Sequence, residues 1–283
     1  MPGCENASPA MPAAAAAMKL FDAHNHLQDH VFSERLDTVL AEARQVGVVR
    51  MVVNGSSEED WAEVLKLARE IPEVVPSFGY HPWYVKQCTA SWQTELVRML
   101  ETVPSGVGEI GLDRWIKDHD FELQLAVFTW QLRLAAERNL PVSIHCLQAW
   151  GKMLEVLKKE PLPRCGFVLH SYAGPAEMID SLAELGAYFS LPGYFAHERK
   201  AKQRDVFKRV PYERLLIETD APNQLLPTER LIYPMCNDDG KQLNHPGNLR
   251  AVCEFAAELL CQPVDTVAKQ VEANFSRLFG GVL

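Results

Sequence analysis

Paired cysteines are missing from this chain. Its seven cysteines, Cys4, Cys88, Cys146, Cys165, Cys236, Cys253 and Cys261, are odd in number and never spaced Cys-x-x-Cys. That scatter argues against a disulfide framework or a structural zinc knuckle and suits a reducing cytoplasm. No stretch reaches the roughly 18 apolar residues that span a bilayer, so no membrane segment is expected. Positive charge is scarce: the 283 residues carry a net charge of −9, which leaves no large basic footprint for gripping duplex DNA. An acidic balance does not bar a nucleic-acid substrate, because bound metal ions can supply positive charge where phosphate sits. Gly-x-Ser-x-Gly is also absent, so a serine hydrolase would lack its nucleophile. Nothing points to an obligate protein partner.

What is present reads as a soluble, globular chain, 47 % hydrophobic and 23 % charged. Residues 1–17 are rich in Ala and Pro, without the basic start or leucine-type core of a signal peptide. They read as a disordered tail, or as a start over-called upstream of Met18. From Lys19 onward, short apolar runs alternate with longer amphipathic ones. The runs predict strands at Lys19–Asp22, Val48–Asn54, Val74–Phe78, Gly106–Ile110, Val142–His145, Phe167–Leu169, Tyr188–Leu191 and Leu215–Glu218. Helical spacing fills the intervals, first at Glu34–Gln45, with Ser33 as its cap and Gly47 after its end. Two more helices are expected near Asn248–Leu260 and Val264–Leu278. Eight strand–helix repeats without a Gly-rich dinucleotide turn favour one closed (β/α)8 barrel, a TIM barrel of the α/β class spanning 18–283, over an open doubly wound sheet.

The chemistry gathers at the strand ends. Asp22-Ala23-His24-Asn25-His26 closes the first run. Residues two apart in extended chain point the same way, so His24 and His26 can share one ion, although His pairs also occur on solvated loops. Glu109 ends the fourth run, His145 the fifth, His170 the sixth and Asp220 follows the eighth. Ionisable groups directly after buried strands are awkward core residues unless they have partners. In a barrel all six converge on the C-terminal rim, where such enzymes build their sites.

The other histidines sort differently. His30, His119 and His197 read as surface residues, and His245 sits in a turn that either lines the pocket or does not. His81, in Gly79-Tyr80-His81-Pro82-Trp83, faces the same rim and reads as a substrate contact, because six ligands already suffice for two ions. Cys146 alternates away from His145 and reads as a buried small hydrophobe. Trp83, Trp115, Trp150 and Tyr172 follow strand ends and either stack bases or pack loops.

At these residues the sequence resembles the TatD family of metal-dependent hydrolases and deoxyribonucleases, within the amidohydrolase-like superfamily. The resemblance runs from about Met18 to Leu278 through Phe21-Asp22-Ala23-His24-Asn25-His26, Gly79-Tyr80-His81-Pro82, Gly108-Glu109-Ile110-Gly111-Leu112-Asp113, Ile144-His145-Cys146, Leu169-His170-Ser171-Tyr172 and Glu218-Thr219-Asp220-Ala221-Pro222. It implies that His24, His26 and Asp220 bind one ion and His145 and His170 a second, with Glu109 bridging them. Asp220 would also accept the proton of the attacking water, so Glu109 and Asp220 are the catalytic carboxylates. His81, Arg114 and Trp115 are the expected substrate contacts. Mixed imidazole and carboxylate ligands suit zinc or manganese, whereas magnesium prefers oxygen. The implied substrate is nucleic acid, held mainly at the metal site. Two departures matter: the family's arginine after His-Cys is Leu147 here, and its Pro-x-Arg-Gly after the last aspartate is absent. Arginine suits phosphate through its bidentate fork, so ester or amide hydrolysis, including aminoacyl-tRNA deacylation, is the alternative, and a catalytically silent metal-binding scaffold a third.

Overall fold

Apolar runs of three to eight residues, too short for buried helices, become strands buried on both faces in the computed structural model, which describes residues 18–118 and 120–283. The expected tail at 1–17, and His119, lie outside the described residues. Eight parallel strands pair in sequence order: β1 Leu20–Asn25, β2 Val48–Asn54, β3 Val74–Phe78, β4 Gly106–Asp113, β5 Val142–Leu147, β6 Phe167–Leu169, β7 Ala187–Pro192 and β8 Leu215–Glu218. Almost every strand position is buried, as all-parallel sheets require. The β1–β8 seam nearly closes the barrel. Across it Asp220 N–H donates to the His24 carbonyl at 2.9 Å and His26 N–H to Ala221 at 2.8 Å. The Thr219 backbone N–H adds a 2.9 Å bond to the buried Asp22 carboxylate. The fold is the (β/α)8 barrel.

Helices α1 Leu36–Gln45, α2 Trp61–Glu70, α3 Trp92–Thr102, α4 Phe121–Arg138, α5 Trp150–Lys159, α6 Ile179–Glu184, α7 Ala201–Phe207, α8 Leu249–Leu260 and α9 Val264–Phe279 surround the strands. No helix among the described residues is long and apolar enough to cross a membrane. Helix α4 does more than cover the sheet. Its buried Gln131 accepts from Tyr80 N–H at 2.7 Å and donates to the Tyr80 carbonyl at 3.2 Å. On the same face two turns earlier, Gln124 accepts from Asp113 N–H at 2.9 Å and donates to the Asp113 carbonyl at 3.0 Å. Two amides thus hold the chain that leaves β3 and β4, as buried polar backbone demands.

Several boundaries differ from expectation. Ser33 does not cap α1: it lies inside a 3-10 helix at His30–Arg35, which Asp29 caps through Val31 N–H, and α1 starts without a side-chain cap. Strands β1, β4 and β5 run on to Asn25, Asp113 and Leu147, because ladder pairing with a neighbouring strand continues past the polar residues, as between Asp113 and Leu147. The excursion after β8 carries a small hairpin, β9 Met235–Cys236 with β10 Gln242–Leu243, which lacks the apolar run that marks a strand. At the other extreme of crowding, a Cβ on Gly111 (φ +153°) would lie 1.9 Å from the His145 carbonyl oxygen, so β4 and β5 can approach only through glycine there.

Candidate metal centre

Period-two geometry along β1 and its continuation brings His24 and His26 to one side, with ring centroids 5.1 Å apart. The glutamate of β4 enters between them and the histidines of β5 and β6. Glu109 Oε2 lies 3.3 Å from both His24 Nε2 and His26 Nε2. Its Oε1 lies 2.9 Å from His170 Nε2, 3.1 Å from His145 Nδ1 and 3.3 Å from His81 Nε2. Asp220, in a left-handed residue (φ 52°) just past β8, brings Oδ1 to 3.5 Å from His26 Nε2 and 3.8 Å from His24 Nε2. All six residues singled out at the strand ends meet at one floor. Burial alone would raise the Glu109 pKa, yet the surrounding imidazoles hold it well below the usual carboxylate range. Burial likewise lowers His170, but Glu109 and Glu218 carry it well above an ordinary histidine.

The donor set fits divalent metal. His24 Nε2 is buried without a hydrogen-bond partner although two carboxylates stand close by, which is the arrangement a shared cation satisfies. Among the described residues, three groups of side chains could each hold an ion: His24, His26 and Glu109; His24, His170 and Glu218; and His81, Glu109 and His145.

What lies behind each ring separates these histidines. A ring nitrogen bonded to an acceptor carries the proton, which leaves the opposite nitrogen free to ligate. His26 Nδ1 donates to the Asn54 carbonyl at 2.9 Å. His145 Nε2 donates to Asp113 Oδ2 at 2.9 Å, and His170 Nδ1 faces Glu218 Oε1 at 3.6 Å. His26 and His145 therefore turn a lone pair to the centre, and the Glu218 carboxylate favours the same tautomer of His170. His81 is the reverse, and its donor is a backbone N–H that cannot turn, whereas the Asn54 side-chain amide 3.1 Å from His24 Nδ1 can present either its nitrogen or its oxygen. His81 Nδ1 accepts from Trp83 N–H at 3.2 Å, so its Nε2 carries a proton and points a donor inward. Burial pushes its pKa down to about 4, which keeps that ring neutral.

An open cleft of about 860 Å³ lies above the floor, with His81, Trp83, Trp115, Lys200 and Gln224 in its walls. Arg114 is not among its lining residues; its guanidinium lies 3.8 Å over the Phe121 ring. His245 is buried outside the cleft, with Nε2 3.2 Å from Glu42. His30 is exposed at the cleft mouth, whereas His197 is half-buried and donates to the Leu225 carbonyl at 3.1 Å. Cys146 is buried, and the six described cysteines are all free. Trp150 and Tyr172 pack on each other at 4.6 Å. Asn54, Asp113 and Glu218, which orient the ring nitrogens, were not singled out from the sequence. Each is a polar residue ending a buried strand, the same signal that marked the histidines.

Comparison with known proteins follows the same outline. Residues 21–280 match the family model described as TatD related DNase. Over 264 residues the chain is 31 % identical to the metal-dependent hydrolase YjjV of Escherichia coli, covering 92 % of this chain and 98 % of that protein. It is also 31 % identical to a protein of Erwinia tasmaniensis named 3'-5' ssDNA/RNA exonuclease TatD, covering 92 % and 99 %. The crystal structure of the YjjV TatD homologue superposes with a TM-score of 0.84 over 93 % of this chain and 99 % of that one, at 31 % identity. A TatD family hydrolase from Entamoeba histolytica shares the fold at a TM-score of 0.83 and 20 % identity, covering 94 % and 99 %.

Proposed function

The chain belongs to the TatD family of metal-dependent hydrolases, and from that premise we propose that it is a two-metal phosphodiesterase acting on nucleic acid. The observation that carries the reading is Glu109. Its two oxygens meet imidazole nitrogens from four strand ends within 3.3 Å, on the floor of an open cleft. His24, His26 and Asp220 would hold one ion, His145 and His170 the other, and Glu109 both. When bound, divalent ions supply a water of lowered pKa and positive charge against phosphoryl oxygens.

The residues around that centre have separate tasks. Asp220 Oδ1 faces the imidazoles, whereas Oδ2 accepts from Gln224 Nε2 at 2.9 Å and takes the proton of the attacking water. His81 supplies its Nε2–H to a phosphoryl oxygen, a role its fixed tautomer suits and ligation does not. The Asn54 carbonyl, Asp113 and Glu218 hold the His26, His145 and His170 rings in the tautomers that ligate. Trp115 extends the binding surface at the cleft mouth. The free cysteines support the cytoplasmic placement read from the sequence.

Relatives named as single-stranded DNA and RNA exonucleases support a nucleic-acid substrate. A second reading, ester or amide hydrolysis at the same centre, is favoured by one observation: Lys200 is the single Lys or Arg lining the cleft among the described residues. Metal analysis of the purified protein, with a panel of single-stranded oligonucleotides, carboxylic esters and amides, tests both. Oligonucleotide cleavage that chelation abolishes is the expected result. Ester or amide turnover with intact oligonucleotides would overturn the phosphodiesterase reading.

A further inference from the structure

Of the six tryptophans, four pack into the structure. Trp61 is buried against Tyr80, Trp92 stacks edgewise on Trp130 at 4.8 Å, and Trp150 packs on Tyr172. The other two, Trp83 and Trp115, are 45 % and 64 % exposed, and both line the cleft. Leaving indoles in water forfeits apolar burial, so their placement beside the metal ligands calls for a use.

Neither tryptophan hangs loosely. The Trp83 indole N–H donates to Asp113 Oδ2 at 2.7 Å, the same oxygen that receives His145 Nε2–H. The Trp83 backbone N–H donates to His81, and its ring meets the His81 ring edgewise at 5.1 Å and His145 at 6.3 Å. The second oxygen of Asp113 accepts Trp115 N–H at 2.6 Å. Asp113 itself is fully buried and clamped by Gln124 through its backbone. One carboxylate therefore fixes a histidine at the centre, one indole edge and the backbone that carries the other indole. Pinning an indole by its edge leaves a face free for stacking, at little further ordering cost when a planar ligand arrives.

We propose that Trp83 and Trp115 form a stacking subsite for one unpaired nucleobase beside the scissile phosphate, with Asp113 as the positioning residue that ties this subsite to His145. The proposal rests on the nucleic-acid reading and deepens it. Stacking on an indole uses the π face that every base has, so the subsite accepts any base and is indifferent to the sugar. A base still paired in a duplex does not present that face. The stack also supplies affinity without basic side chains, in a cleft where Lys200 stands alone.

The test uses the manganese-loaded protein and single-stranded oligothymidylates whose terminal nucleotide, at either end, carries thymine or is an abasic analogue. The wild type should show a KM about 10- to 100-fold lower for the base-bearing terminus than for the abasic one. Trp115→Ala, at an exposed position, should erase most of that difference. Trp83→Phe keeps a ring but removes the N–H bond to Asp113, so it should discriminate between the substrates and yet bind manganese more weakly at equilibrium. Quenching of tryptophan fluorescence by oligothymidylate, measured with metal chelated, should fall in Trp115→Ala. Equal KM values for the two termini in the wild type, or full discrimination in Trp115→Ala, would overturn the subsite. Unchanged manganese affinity in Trp83→Phe would overturn the link through Asp113. A wild type that cleaves neither oligonucleotide sinks the nuclease reading and the subsite together.

Discussion

Replacing Glu218 with Gln separates a metal-orienting role from a structural one. The Glu218 side chain is fully buried, accepts hydrogen bonds from the hydroxyls of Ser171 and Ser190, and stands 3.6 Å from His170 Nδ1. Burial works against its charge, but His170 outweighs burial and holds the carboxyl below its usual pKa. Glutamine keeps the shape and one acceptor oxygen. Of the two hydroxyl bonds to an anion, worth about 1.5–3 kcal/mol each, one becomes a neutral bond to the amide oxygen and the other reverses, with the amide N–H donating to the serine oxygen, each worth about 0.5–1.5. Against that loss, removing a buried charge relieves a desolvation cost of several kcal/mol, and His170 is not left unpaired because its Nε2 keeps Glu109 Oε1 at 2.9 Å. The two effects nearly cancel, so the metal-free protein should change stability by no more than about 2 kcal/mol in either direction. Metal binding has no such compensation. His170 loses the anion behind its Nδ1, and outer-shell losses of this kind cost about 10- to 100-fold in affinity. Manganese titration followed by paramagnetic resonance, beside a urea melt of the metal-free protein, reads both quantities. Manganese affinity within about twofold of the wild type, in a variant that melts normally, would show that Glu218 does not orient His170 for metal.

Three other outcomes follow from the geometry. Asp220→Asn should keep part of its metal yet lose on the order of 10²-fold more activity than its occupancy explains; rates proportional to bound metal would show that Asp220 accepts no proton. His81→Ala should keep both ions while kcat/KM for oligonucleotides falls about 10- to 100-fold, as for a lost bond to a charged group; loss of an ion would make His81 a ligand. Gly111→Ala forces a Cβ to 1.9 Å from the His145 carbonyl oxygen at φ +153°, so it should destabilise by more than about 2 kcal/mol, and an unchanged melting temperature would contradict the packing of β4 on β5.

Much of the site was legible because two signals coincide in this chain. Strands buried on both faces read as continuous apolar runs, and an ionisable residue at the end of such a run stands out against them. Val48–Asn54, Val74–Phe78, Phe167–Leu169 and Leu215–Glu218 were bounded correctly for this reason. The strands that carry Asn25, Asp113 and Leu147 ran past the ionisable residues taken as their ends, since hydropathy cannot distinguish a polar residue within a strand from one entering a loop. Ser33 failed as a cap because the chain first takes a 3-10 turn capped by Asp29, a choice made by local bonding.

The alternation of strands and helices, the family, and the six side chains that carry donors at strand ends are all readable from the amino-acid order. These follow from hydrophobic periodicity and residue type, which are local properties. Tertiary structure alone decided which nitrogen of each ring faces the centre, because that depends on partners far away in the chain. His145 meets Asp113 across 32 residues and His26 meets Asn54 across 28. Likewise, only the fold could distinguish Trp83 and Trp115 at the cleft from Trp150 packed on Tyr172. Exposure is a property of neighbours, and neighbours in a barrel come from different strands.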